Sequence, residues 1–385
     1  MMTRLADRPR AAARQRSPSD LYGPTVDFEV RRDDLHETRV VDPPPAACAD
    51  GEARLVVRRF GFSANNITYA VFGDMMGYWT FFPAADGWGR IPVWGFAEVV
   101  EANDTGLEVG DLFYGYLPMS NELVVSPERV TAHGFHDGAP HRAALPPAYN
   151  GYTRCATDPV YSAETEALQM LFRPLFMTDF LLDDWLADND FHGAAPSAGG
   201  VLVLSSASSK TAFGLAHLLA ARSERPEIIG LTSIDKMAFV EGLDVYDRVL
   251  GYGDTDGLAA DAPTVYIDMA GDTRVRRDVH ERVSGLVASV SVGGTHWREV
   301  GGAGDLPGPQ PVLFFAPDQI VRRRADWGQG GLESRFGSAW SAFVPVVEGW
   351  ISVVERNGID GVEQTYREVL DGEADPSDAF VLDIA

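Results

Sequence analysis

A chain of 385 residues is longer than one hydrophobic core usually organises, so two domains are expected; 45% hydrophobic and 23% charged residues exclude a chain that is disordered as a whole. Thirty-two basic against 56 acidic residues leave a net charge of −24, whose field repels phosphate backbones and anionic lipid, so neither nucleic acid nor a membrane is an expected partner. No apolar stretch approaches the ~20 residues that cross a bilayer, and Cys48 and Cys155 build neither a disulfide framework nor a Cys/His metal set, which points to a reducing cytoplasm.

In chain order, residues 1–20 are rich in Arg and Ala but lack the apolar core and cleavage site of a secretory signal, and read as a disordered tail. From Thr25 to Ala70 the text alternates as β-structure does, with Val26, Phe28 and Val30 on one parity. Ile91 to Ala102, a turn at 103–110 and Asp111 to Leu117 read as strand, loop, strand, and Glu122 to Val125 as another strand. Thr131 to Asn150 mixes histidine, proline and glycine without periodicity and predicts a long loop. Its histidines at 133, 136 and 141 would gather a metal only if the loop folded on itself, so a solvated loop is the plainer reading.

The rhythm changes at Ser162. Glu164 to Phe176 and Thr178 to Leu186 have helical spacing with a break predicted at Pro174. Strands at Val201–Leu204, Glu227–Leu231, Arg248–Gly251, Thr264–Met269 and Leu286–Val292 then alternate with helices at Thr211–Arg222, Ile234–Gly242 and Arg274–Val283, the signature of parallel βαβ units. A strand at Val312–Ala316 and helices at Ser338–Asn357 and Val362–Leu370 complete the chain.

The segment Val201 to Ala216, VLVLSSASSKTAFGLA, runs from a buried strand through a turn of small residues into a helix, a geometry that suits a diphosphate. It lacks G-x-G-x-x-G. Ser209-Lys210-Thr211 echoes a P-loop, but Leu204 stands where that motif's first glycine would be, and a serine-rich helix cap needs no ligand at all. After the next strand, Ser233 and Lys236 are the residue types that accommodate a 2′-phosphate, so NADP(H) is expected rather than NAD; Asp235 is expected to turn toward the helix N-terminus. Lys210 and Lys236 are the only lysines in the chain. No G-x-S-x-G elbow, H-E-x-x-H helix or complete calcium loop is present.

The order of elements, with Asn66-Ile67-Thr68-Tyr69, Gly95-Phe96-Ala97-Glu98-Val99-Val100, Val109-Gly110-Asp111, Ile267 to Gly271 and Ser291-Val292-Gly293, resembles the medium-chain dehydrogenase/reductase superfamily in its zinc-free quinone oxidoreductase and enoyl reductase branches. The wording SSASSKTA and the long inserted loops look like the bacterial group DUF2855. The resemblance implies an α/β fold class: a GroES-like β domain at 21–162 and 319–385, and a Rossmann domain with a doubly wound parallel sheet at 163–318. It further implies NADPH, held by Asn66, Thr178, Ser206, Ser208, Ser209, Lys210, Thr211, Ser233, Lys236, Tyr252, Ala270, Gly271, Val292 and Gly293. Departures are equally plain. Trp94 and Phe96 stand where zinc-dependent members carry metal ligands, which argues against zinc, and Tyr69 replaces an aspartate.

A metal-free hydride-transfer site needs a dry apolar pocket and a donor for the substrate carbonyl. In the run Tyr69 to Trp88, Tyr78 occupies the place where some enoyl reductases carry a tyrosine donor, and Tyr69, Trp79, Phe81 and Phe82 are expected to line the substrate pocket, although each aromatic is equally at home in a core. The expected activity is NADPH-dependent reduction of a small conjugated carbonyl compound, with a homodimer among the assemblies the family allows. The rival is a binding or interaction protein that keeps the fold without catalysis.

Overall fold

Strand Ala53–Phe62 buries side chains on both faces, as the middle of a covered sheet requires. In this computed structural model, which describes residues 24–44, 46–293, 305–328 and 330–385, that strand anchors a nine-stranded sheet; the tail at 1–20 lies outside the described residues. Its main path runs Ser352–Asn357, Asp378–Asp383, Ala53–Phe62, Pro92–Ala102, Leu112–Pro118, Gly151–Arg154, Gly134–Asp137 and Pro127–Thr131, with Glu122–Val125 also on Ala53–Phe62. Pairing is antiparallel except between Ser352–Asn357 and Asp378–Asp383, which are parallel and joined by helix Gly358–Leu370. The C-terminus thereby returns to the N-terminal sheet.

The second large sheet is parallel, in the order Arg248–Gly251, Glu227–Thr232, Val201–Leu204, Thr264–Asp268, Leu286–Ser291, Val312–Leu313. Counted along the chain this is 3-2-1-4-5-6, the doubly wound order that opens a crevice outside the carboxyl ends of its first and fourth strands. The expected α/β class with a doubly wound parallel sheet is therefore present.

Helix Glu166–Asp188 ties the two sheets together. Its Leu171, Phe172, Phe176 and Leu182 share one apolar core with Phe96 and Tyr114 of the mixed sheet and with Leu202 and Ile267 of the parallel one. A Cβ on Gly61 would lie 2.9 Å from Leu171 Cγ, so the helix rests directly on strand Ala53–Phe62. The predicted break at Pro174 does not occur: the helix runs through it. One missing amide bond is outweighed where apolar side chains on both flanks of the proline are buried.

Other expectations change as well. Ala64–Val71 is a helix rather than strand, because the Asn66 side chain accepts the Ser63 amide at 2.9 Å and starts a helical turn. The loop at 131–150 contains the strand Gly134–Asp137. Ser352–Asn357 is an edge strand and not the end of a helix, since Gly349 closes helix Gly331–Glu348 before the β-branched Val353 and Val354. The strand at 312 is only Val312–Leu313, because Pro317 begins helix Ala316–Trp327.

The long helix also carries Asp179, 1% exposed and with neither carboxylate oxygen hydrogen-bonded among the described residues. Its side chain lies against Gly214 in helix Lys210–Ala220, and burial pushes its pKa well above the carboxylate range. A raised folded pKa means that the native state holds a proton the unfolded chain has released, so stability falls as pH rises above the unfolded value of ~3.9, by up to ~1.4 kcal/mol per pH unit until the folded pKa is reached. Asp179→Asn is expected to melt higher than wild type at pH 8 and to lose most of that advantage at pH 4.5. Parallel melting curves for the two proteins across this range would count against a buried acid.

Candidate functional site

A cleft of about 1130 Å³ runs from the carboxyl ends of the parallel strands to the aromatic helices of the mixed sheet. Its end at the parallel sheet is built on the exit from Val201–Leu204. Ser205 donates its hydroxyl to Asp268 Oδ1 at 2.9 Å and accepts the amides of Met269 and Ala270 at 3.0 Å. Asp268 also accepts the Gly271 amide and Arg276 Nε, at 2.9 and 2.8 Å, so one buried carboxylate locks the first strand to the fourth where the crevice opens.

The next residue, Ser206, has φ +50°, the left-handed conformation that glycine usually supplies in such a turn. Its amide donates to Tyr252 Oη at 3.1 Å. The Ala207 amide reaches Leu231 O, Tyr246 Oη donates to Ala207 O at 2.9 Å, and Ser209 caps the helix by accepting the Ala212 amide. Hydroxyl groups thus hold a turn without glycine. The amides of Lys210 and Thr211 fall in the first helical turn, where no intrahelical carbonyl can accept them, and both residues line the cleft. Unpaired donors at a positive helix end, two ammonium groups and Ser233 form a donor set that fits the phosphates of a dinucleotide.

Lys210 extends its ammonium to Pro376 O at 3.0 Å; burial lowers its pKa to about 8, while Asp378 and Asp375 pull it back up. Lys236 lies 3.9 Å from Asp235, whose carboxylate is bonded to Ser233.

The opposite end is aromatic. Tyr69 and Tyr78 lie with ring centroids 4.7 Å apart, Trp94 Nε1 donates to Tyr69 Oη at 3.2 Å, and the Tyr78 and Tyr149 hydroxyls are 3.4 Å apart. Burial pushes the Tyr69 and Tyr78 phenols upward, so both stay neutral and able to donate. Trp94 stacks on Tyr114, and Arg173 lies over the Tyr114 ring.

Of the residues singled out in the sequence, Tyr69, Tyr78, Thr178, Ser206, Ser208, Ser209, Lys210, Thr211, Ser233, Lys236, Val292 and Gly293 line this one cleft. Trp79, Phe81 and Phe82 do not. In the short helix Tyr78–Phe81 successive side chains point about 100° apart, and Trp79 packs over Gly73 and Gly89 while Phe81 and Phe82 close on Tyr116. Asn66 is spent on its helix cap and on Pro92 O, leaving Asn65 on the wall. Tyr252, Ala270 and Gly271 stand behind the turn and brace it. Sequence reading missed Trp94, Tyr114, Tyr149, Arg173 and Asp375, which also line the cleft. Alternation in Pro92–Ala102 and Leu112–Pro118 was signal enough for Trp94 and Tyr114, diagonal neighbours on one face of that strand pair, where Trp94 pairs with Tyr116 and Tyr114 with Phe96. His133 and His136 reach the wall too, but no metal-holding group of three or more His, Cys, Asp or Glu occurs among the described residues.

The model of the family described as "Protein of unknown function (DUF2855)" matches residues 60–375. The chain belongs to that family. No curated protein matches it. Among solved structures it is similar to CurA from Vibrio vulnificus in complex with NADPH (12% identity, TM-score 0.55, covering 94% of this chain and 99% of that one). It is likewise similar to the yhdH oxidoreductase from Salmonella enterica in complex with NADP (12%, TM-score 0.54, 94% and 100%). A third is the mitochondrial 2-enoyl thioester reductase Etr1p/Etr2p heterodimer from Candida tropicalis (9%, TM-score 0.54, 94% and 99%). At these identities the likeness is one of fold, and it bears out a GroES-like part joined to a Rossmann part. Among the described residues no helix is long and apolar enough to cross a membrane.

A non-glycine residue in the left-handed region costs about 1 kcal/mol. Ser206→Gly loses the bond between its side chain and Tyr252 but keeps the amide bond, and is expected to unfold at higher denaturant concentration, by ~0.5 kcal/mol, where relief of the backbone outweighs that loss. A loss of stability on that substitution would mean that the Ser206 side chain, rather than its backbone, holds the turn.

Proposed function

We propose that this chain is a zinc-independent, NADPH-dependent reductase acting in the cytoplasm on a small conjugated carbonyl compound: a quinone, an enone or an enoyl thioester. The observation that carries the reading is one continuous cleft with a phosphate-complementary turn and both of the chain's lysines at one end and two neutral, facing phenols at the other. The solved relatives crystallised with NADPH or NADP add to it.

On this reading residues 163–318 bind the nucleotide, and residues 21–162 with 319–385 form the substrate part. Ser206, Ser208, Ser209, Lys210 and Thr211 would hold the diphosphate, Ser233 and Lys236 the 2′-phosphate, and Thr178, Val292 and Gly293 complete the wall. NADPH, when bound, supplies the hydride. Tyr78 donates to the substrate oxygen and stabilises the negative charge that develops there. Tyr69 assists: the Trp94 Nε1–H and the Asn65 side chain, both bonded to its hydroxyl, fix it beside Tyr78 at the chamber wall. Phe72, Met76 and Trp94 keep that chamber dry, which strengthens each of these contacts.

Lys236→Ala is expected to weaken NADPH about ten-fold or more and NADH little, because a charge-assisted contact to phosphate is worth ~1.5–3 kcal/mol. Equal wild-type affinities for the two nucleotides in a fluorescence titration would remove the 2′-phosphate assignment. Tyr78→Phe is expected to lower the rate of NADPH consumption with a responsive quinone or enone by about 100-fold while leaving NADPH affinity unchanged. The rival, a binding module that keeps the fold, draws on the absence of glycine between Ser205 and Lys210. It gains if NADPH binds and no quinone, enone or enoyl thioester is reduced.

A further inference from the structure

Helix Gly358–Leu370 is joined to the last strand, Asp378–Asp383, by a short strap at 371–377. The strap belongs to the mixed sheet in sequence, yet it forms part of the wall at the nucleotide-like end: Ala374, Asp375, Pro376 and Asp378 face the same cleft as Lys210, Ser233 and Lys236. One direct bond crosses from the parallel-sheet side, from Lys210 Nζ to Pro376 O at 3.0 Å.

Asp375 is fixed on this strap. Its Oδ1 accepts the Ser377 amide at 2.9 Å and the Ser377 hydroxyl at 2.6 Å, a turn that pins the carboxylate instead of letting it swing into solvent. The Ser377 bonds foremost, and then the ammonium groups of Lys236 and Lys210, hold its carboxyl below the usual range. The chain's two lysines, one on each of two different helix starts, share the cleft wall with three carboxylates, Asp235 beside Lys236, Asp378 acting foremost on Lys210, and Asp375, and of these Asp375 is the one that acts on both lysines. Any phosphate held by those lysines feels that negative charge.

We propose that Asp375 is a specificity-determining residue of the dinucleotide site, its pinned carboxylate opposing the phosphates that Lys210 and Lys236 attract and so setting how far a nucleotide with a 2′-phosphate is favoured. This rests on the NADPH reading above. A dianionic 2′-phosphate is repelled more than a hydroxyl, so Asp375 weakens NADPH more than NADH. Its native effect is to hold affinity down at a site whose two cations would otherwise retain NADP tightly after turnover.

The test uses the full chain and four probes: NADPH, NADH, adenosine 2′,5′-bisphosphate and 5′-AMP. Asp375→Asn keeps an oxygen to accept both Ser377 bonds, and Asp375→Ser serves as a second variant should the first lower the melting temperature. Glu373→Gln removes the same charge from an exposed strap residue off the cleft wall. Expected are a three- to ten-fold gain in affinity of Asp375→Asn for NADPH and for the bisphosphate, roughly, and a smaller gain for NADH and 5′-AMP, with Glu373→Gln at wild-type values. Unchanged or weakened NADPH binding in both Asp375 variants overturns the proposal and leaves the NADPH reading standing. So does an equal gain in Glu373→Gln, which would make the effect one of net charge. Failure of wild type to bind any of the four probes overturns both.

Discussion

The buried carboxylate of Asp268 is the contact on which the cleft depends. It terminates the fourth strand of the parallel sheet and gathers the Ser205 hydroxyl, the Gly271 amide and the Arg276 guanidinium, with Asp268 and Arg276 side chains 1% and 7% exposed. An isolated charge at that depth would be strongly unfavourable, and a buried ion pair becomes tolerable only when the remaining lone pairs are bonded too. Here they are, and the bonds all run to segments that leave the carboxyl ends of adjacent strands. The crevice is therefore held open by charge and hydrogen bonding, whereas the layers around it are held by apolar contact.

This division explains how a turn without glycine keeps its shape. In dinucleotide turns of the usual kind, glycine supplies the left-handed residue and the close approach. With Ser205 clamped by Asp268 from below and Ala207 clamped by Leu231 and Tyr246 from the side, Ser206 has little choice of conformation between them, and the Tyr252 hydroxyl takes up its amide. Tyr252, Ala270 and Gly271 act one layer behind any ligand. The positions that the resemblance implied as contacts are employed here in building the turn itself.

How far the sequence reveals this depends on the range of the interaction. Period-two and βαβ patterns depend on neighbours along the chain, so Val201–Leu204, Arg248–Gly251 and the helix after Ser209 are legible. The cleft residues Ser206, Ser208 to Thr211, Ser233 and Lys236 were legible for the same reason: they lie at the ends of those strands. The aromatic end was only half legible, because the run from Tyr69 to Trp88 does not say which rings face inward. Tyr78 faces the cleft and Trp79 faces Gly73 and Gly89 only because of the turn of a helix shorter than any periodicity could reveal. Tyr149, Arg173 and Asp375 arrive from segments far away in sequence, and no local signal marks them.

Charge gives the last step. A chain with a net charge of −24 repels anions over its whole surface, so a nucleotide site on it needs local cations brought out of the general acidic field. Arginine elsewhere is largely engaged: Arg222 with Asp183, Arg276 with Asp268, Arg323 with Asp184 and Asp326. The two lysines differ. Lys210 is bonded to a carbonyl oxygen with the carboxylates of Asp378 and Asp375 acting on it from the strap, and Lys236 is in loose contact with Asp235 and acts on Asp375. A compact ammonium on a flexible stem can change partners as a phosphate arrives, which a forked guanidinium locked to a carboxylate cannot do without losing two bonds. On the NADPH reading, the restriction of lysine to these two positions puts both where an arriving phosphate asks a cation to exchange its partner.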